Sequence, residues 1–190
     1  MCIDFLPFAE ILVPHTVGEH ASIWAIRLAM MVLVMCLGLE IRGWPKTSPL
    51  LSNLWLFGAI AAFCHSLGAL NTFHHGSHAE ALKSTADQTQ ELLGVPISAG
   101  LYFNYIFVAT WFADAIWRIV APMRYQRLPP AYHLVVTGFL VFIAFNGAIV
   151  FKTGPFRWAG IASVVVLGAL WLLQKRTAEQ HLNKLNTTAE

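Results

Sequence analysis

Histidine is the residue type that this sequence groups most closely. His74, His75 and His78 stand together in the string FHHGSHAE, and His65 lies a short way upstream. Imidazole is the commonest transition-metal ligand, and its neutral form is available near pH 7. On a continuous helix His74 and His78 are four apart and share a face; with a break at Gly76 the three rings converge about a turn instead. Either arrangement supplies part of a zinc, copper or iron site, with His65, His20 or Glu80 completing it and Glu19 and Asp87 as further oxygen donors. Tyr102, Asn104, Tyr105, Thr85 and Thr89 are then the groups that orient the imidazoles through their free nitrogens. His65 falls inside an apolar run, where an ionisable side chain is a functional candidate by default. As an axial ligand of haem b it needs a second histidine at matching depth, for which His20 is the nearest. Against this stands the structural reading: histidines at a helix end cap carbonyls or face water, and His65 bonds a neighbouring helix through Asn104 or Asn146.

A second set of polar residues lies in the stretch GLYFNYIFVATWFADAIWR. A lone intramembrane carboxylate at Asp114 suggests proton or cation movement, and with His65 and Asn146 it would form the polar path of a small transporter or channel. Arg118 is one helical turn further on, so a structural ion pair is the better expectation. Arg27 either snorkels or pairs with Glu19. The remaining motifs exclude more than they include. HHxxH lacks the general base of the HExxH zinc proteases. Of the histidine boxes of membrane desaturases, only His15-x4-His20 and a reversed His74-His75-x2-His78 are echoed; His133 and His181 are single. There is no P-loop, no dinucleotide-binding glycine fingerprint and no GxSxG, so the residues specify no reaction.

The elements that must position these residues are membrane helices. Of 190 residues 57% are hydrophobic and 12% charged, with a mean hydropathy of +0.60, where a soluble domain carries about 25% charge. Continuous apolar runs predict five spans, at about 21–39, 49–75, 100–121, 132–151 and 156–174. The expected fold is therefore an all-α integral membrane bundle in one domain, 1–190. Gly43 and Pro45, Pro122, Pro129-Pro130 and Gly154-Pro155 punctuate the spans. Between the second and third, Ser77-x-x-Glu80 reads as a capping box that opens an amphipathic surface helix over 78–93, stopped by Gly94 and Pro96. Its apolar face combines His78, Leu82, Thr85, Ala86, Thr89, Leu92 and Leu93. Cys2, Cys36 and Cys64 have no CxxC spacing; Cys36 and Cys64 sit in apolar runs and read as buried free thiols. The net charge of +2, with scattered basic residues, excludes nucleic-acid binding. The N-terminus, with Asp4 and Glu10 and no basic region, does not read as a cleavable signal peptide.

Basic residues set the expected orientation. Arg42, Lys46, Arg118, Arg124, Arg127, Lys175, Arg176 and Lys184 gather at one end, and Lys83, Lys152 and Arg157 at the other. The positive-inside rule then gives the N-terminus outside and the C-terminus in the cytoplasm. The segments FHHGSHAEALKSTADQTQELLG and GLYFNYIFVATWFADAIWR, continuing through FNGAIVF and GPFRWAG, resemble a group of small multi-pass bacterial membrane proteins of unknown function. The resemblance implies a bacterial inner membrane and brings no activity or ligand residues. The residues thus support three expectations. The first is a membrane protein binding Zn, Cu or Fe/haem b at an outer-face histidine site, in a redox or metal-handling role. The second is a structural or accessory subunit of a membrane complex without a cofactor, partnered by the lipid bilayer, by other membrane subunits or by copies of itself. The third is a transporter or channel.

Overall fold

The structure is a computed structural model that describes residues 17–150 and 154–187, with side chains through residue 180. His15, Lys152 and the acids at positions 4 and 10 lie outside the described residues, as do the side chains of His181 and Lys184. Among the described residues, seven α-helices follow one another: α1 (Val17–Ile41), α2 (Pro49–Phe73), α3 (His78–Leu93), α4 (Gly100–Val120), α5 (Pro122–Gln126), α6 (Pro130–Phe145) and α7 (Pro155–Thr187). A π-helical turn, Asn146–Val150, prolongs α6. No strand occurs among the described residues.

The chain is an all-helical membrane bundle. Among the described residues, four helical segments are long and apolar enough to cross a membrane: Val17–Ile41, Pro49–Phe73, Pro130–Val150 and Pro155–Gln180. The third expected span, α4, is not among them on average hydropathy, although its 21 residues reach about 30 Å at 1.5 Å per residue. It carries Asp114 and Arg118 on a buried stripe with Phe107, Val108, Trp111 and Ala115, while Phe103, Ile106, Ile116, Ile119 and Val120 face outwards. A helix that turns its charged residues inwards has a modest mean hydropathy and yet an outer surface suited to lipid.

The helices pack as a ring in the order α1, α2, α4, α6 and α7, with α7 returning to α1 and meeting α6 through the π turn. The α1–α2 pair is the most extensive contact. The core combines Ala29, Leu33 and Cys36 of α1, Leu51, Trp55 and Ala59 of α2, Trp111 and Ala115 of α4, and Leu140 of α6. Close approach rests on small residues, as expected where lipid tails are as apolar as leucine. A Cβ on Gly58 would stand 2.6 Å from Trp111 Cζ2, so the indole lies directly on that glycine. No residue in the most apolar stretch of α7 is fully buried; Leu167 packs against the core, and the outer face of the stretch is left to lipid or to another protein.

Two breaks give the ends their shape. Pro122 disfavours helical dihedrals at Ala121 (φ −136°, ψ 58°) and supplies the first residue of α5, so the chain folds back over the end of α4. This short helix was not expected from the sequence. At the other end His75 (φ 48°) and Gly76 (φ 74°) take left-handed dihedrals that stop α2, and Ser77 caps α3 by accepting from the Glu80 amide at 3.2 Å. Only half of the expected capping box forms, because the Ser77 amide donates to the His74 carbonyl (2.7 Å) instead of to the Glu80 side chain.

Candidate functional site

The densest polar constellation lies at the end where α1 finishes and α2 begins. Asp114 and Arg118 are each 1% exposed, and the Arg118 Nε donates to Asp114 Oδ2 at 2.8 Å. This is the expected pair one turn apart. Trp55 of α2 donates to the same oxygen at 2.9 Å. Oδ1 accepts from the Tyr125 hydroxyl of α5 (2.9 Å) and the Tyr132 hydroxyl of α6 (3.2 Å). The carboxylate thus receives four donors from four helices, as many as its lone pairs accommodate. Arg118 reaches on through Nη1 to Glu40 Oε1 (2.7 Å), and Glu40 Oε2 pairs with Lys46 (2.8 Å). The guanidinium also lies 4.1 Å above the Trp55 ring. Two acids and two bases alternate, so the node is neutral as a whole. Burial, reinforced by the Asp114 carboxylate, pushes the Tyr125 phenol above the ordinary tyrosine range. Tyr125 therefore stays a hydrogen-bond donor at physiological pH.

Glu40, Lys46, Trp55, Tyr125 and Tyr132 were not among the residues singled out from the sequence. Glu40 carried a usable signal, being an acid closing an apolar span at the depth of Arg118. The tyrosines carried none, since their convergence depends on the fold-back at Pro122.

His74, His75 and His78 lie at the other end, where α2 finishes and α3 begins. His74 caps α2, His75 occupies the exposed left-handed turn and His78 opens α3 with an exposed ring. Among the described residues, no three His, Cys, Asp or Glu side chains stand close enough together to hold a metal ion. Two left-handed residues stand between His74 and His78, which therefore belong to different helix ends and do not share one continuous face. His78 has a defined environment: its Nδ1 lies 3.2 Å from the Tyr105 hydroxyl, its ring stacks on Tyr105, and Tyr102 meets it edge-on. Glu80 is exposed and lies beside His74 in an open groove of about 360 Å3 that also includes Lys83, Asp87 and Glu91.

Three expected roles give way to other contacts. His65 bonds neither Asn104 nor Asn146; its Nδ1 lies 2.9 Å from the Ser22 carbonyl and 3.1 Å from the Ser22 hydroxyl of α1. Gly68 permits this, since a Cβ there would come within 3.1 Å of Ser22 Cβ. Thr85 and Thr89 do not hold imidazoles: they bond back to the carbonyls of Ala81 and Thr85, and Thr89 also accepts from the Ile97 amide at 2.6 Å, fastening the loop before α4. Asn146 donates to Phe142 within its own helix, and Asn104 is exposed. The Arg27 guanidinium lies 3.7 Å over the Phe156 ring and 4.9 Å over the Trp24 ring. His20 lies exposed in the first turn of α1.

No family model, curated protein or solved structure matches the chain. The chemistry of the two ends therefore rests on their own geometry. One end holds a saturated ionic node, and the other holds one imidazole oriented by tyrosines.

Proposed function

We propose that the chain is a structural or accessory subunit of a membrane complex, seated in a bacterial inner membrane. The supporting observation is the saturation of Asp114 by four donors drawn from α2, α4, α5 and α6. A carboxylate used in this way fastens helices to one another. Its lone pairs are spent, so a passing cation finds no vacant acceptor there, which argues against the transporter reading. The basic residues Arg42, Lys46, Arg124 and Arg127 gather at the same end and support its assignment to the cytoplasm, with the N-terminus outside. Trp158, Val165, Trp171 and Leu173 stand exposed along α7 and offer a surface to partner helices as readily as to lipid. Purification of the tagged full chain from its own membranes in mild detergent tests the reading. Fixed partners at constant stoichiometry across independent preparations are expected. Recovery of the solitary chain from every preparation, with its stability unimpaired, would refute it.

A second reading, a Zn, Cu or Fe/haem site at the histidine end, is favoured by one observation. The Tyr105 hydroxyl at His78 Nδ1 is the kind of outer contact that orients a ligating imidazole. Elemental analysis of the purified chain decides it. Near-stoichiometric metal that disappears on substituting His74 and His78 together by alanine supports the site, and metal retained in that double variant removes these residues as ligands.

A further inference from the structure

The end that carries the ionic node also holds a cleft of about 380 Å3 lined by Pro45, Lys46, Thr47, Tyr125, Gln126 and His133. Three segments build it: the α1–α2 loop, α5, and the first turn of α6. Gln126 donates to Thr47 Oγ1 and so ties α5 to the loop. Lys46 spends one ammonium hydrogen on Glu40, and an ammonium has three. The His133 ring lies 5.0 Å from Tyr125 and 5.5 Å from Tyr132, centroid to centroid. Its Nδ1 is shielded from solvent and has no hydrogen-bond partner. An N–H is costly at so enclosed a position, so the neutral ring carries its proton on Nε2, where it is a donor without a partner among the described residues.

The charge around the cleft is positive. Glu40 and Asp114 are already offset by Lys46 and Arg118. Arg42, Arg124 and Arg127 flank the lining segments, are exposed, and make no ion pair among the described residues. The site lies where α1 ends and α2 and α6 begin, the level at which the headgroups of a surrounding leaflet stand.

We propose that this cleft binds the phosphate of an anionic phospholipid headgroup, with Lys46 and His133 Nε2 as donors and Arg124 and Arg127 at its rim. Phosphate is the recognised chemistry, and a basic pocket between membrane helices at headgroup level favours the lipid over a free phosphate as its source. The proposal is independent of the accessory-subunit reading, since either can fail alone.

The test uses the full chain in lipid nanodiscs made from equal amounts of phosphatidylglycerol and phosphatidylcholine with matched acyl chains. Release into mild detergent and native mass spectrometry then count the lipids retained. Wild type is expected to keep phosphatidylglycerol in preference. His133→Phe, which preserves a ring between the tyrosines, should lower that preference about five-fold, the equivalent of roughly 1 kcal/mol. The exposed pair Arg124→Gln and Arg127→Gln should lower it at least as much without touching the core, which covers the case of a His133 variant that fails to fold. If the two lipids are retained equally, but inorganic phosphate raises the thermal midpoint of wild type and not of His133→Phe, the phosphate site stands and its ligand is a free phosphate. If neither the lipid preference nor the phosphate protection differs between wild type and variants, the proposal is overturned.

Discussion

Substitution of Asp114 measures how far the bundle depends on its ionic node. Alanine at this position removes an acceptor that serves Trp55, Arg118, Tyr125 and Tyr132, and leaves Arg118, itself 1% exposed, with Glu40 as its remaining carboxylate partner. Breaking one side of a buried ion pair costs about 3–5 kcal/mol. Asparagine is a milder change. Its oxygen can face Trp55 and Arg118 while its amide faces the two tyrosine hydroxyls, which rotate to accept, so the loss is confined to charge assistance and amounts to about 1.5–3 kcal/mol. Glu40 then balances Arg118, and Lys46 loses part of its partner. Replacing Asp114 by alanine and Arg118 by methionine together removes both charges, and should cost less than the two single changes combined by about 1–3 kcal/mol.

The assay is reversible unfolding of the full chain in mixed micelles, followed by tryptophan fluorescence, to which Trp55 in the node itself contributes. The order expected is wild type, then asparagine, then alanine. An alanine variant within about 0.5 kcal/mol of wild type, the range of an indifferent surface substitution, would refute the node as a fastening. So would strict additivity of the Asp114 and Arg118 single changes.

Three further outcomes follow from the same geometry. Gly58→Ala places a Cβ 2.6 Å from Trp111 Cζ2 and 3.1 Å from Val32 Cγ1; the overpacked α1–α2–α4 contact should lose about 1–3 kcal/mol, read as a lowered unfolding midpoint. Gly94→Ala, at φ 74° in the cap of α3, should cost about 1 kcal/mol and raise hydrogen exchange at the Gly94 amide and the last turn of that helix. The raised Tyr125 phenol makes the unfolded chain the first to lose its proton as pH rises, so its contribution to stability is whole below the ordinary value of 10.0 and declines above it; Tyr125→Phe should flatten that alkaline limb in an unfolding series, and an unchanged limb would count against the assignment.

Much of this fold was legible in the sequence because membrane helices advertise themselves locally. A run of apolar residues bounded by glycine and proline fixes a span wherever its neighbours lie, and α2 and α3 start where Pro49 and the Ser77 cap say they should. The Asp114–Arg118 pair was legible for the same reason, since both partners lie on one helix. What the sequence hides is contact between helices. His65 finds Ser22 because Gly68 lets α1 approach, and no spacing within α2 records that. Tyr125 and Tyr132 reach Asp114 only because Pro122 turns the chain back over α4. The arrangement of the histidine string was hidden for a related reason. Where His75 and Gly76 take left-handed dihedrals, α2 ends and α3 begins, so His74 and His78 do not share one continuous helix face.

The distribution of polarity along α4 connects these points. Its Asp114–Arg118 pair lies in the final two turns and its Tyr102–Tyr105 pair in the first two, while the inward stripe between them is Phe107, Val108 and Trp111. An apolar middle separates two polar ends, so no continuous file of hydrogen-bonding groups runs along the inner face of this helix. Trp111 deepens the separation, seated on Gly58 and flanked by Trp55 and Phe107 at 5.4 and 5.5 Å. A conduit would need water in that stretch, where the close-packed inward side chains offer it little beyond the buried, unpartnered Trp111 Nε1–H. Polar side chains at the two ends of such a helix act on what meets the bundle at each membrane surface. The groups that fasten the helices and the groups that line the cleft at Lys46 and His133 are thereby neighbours, and Tyr125 belongs to both, lining the cleft and donating to Asp114.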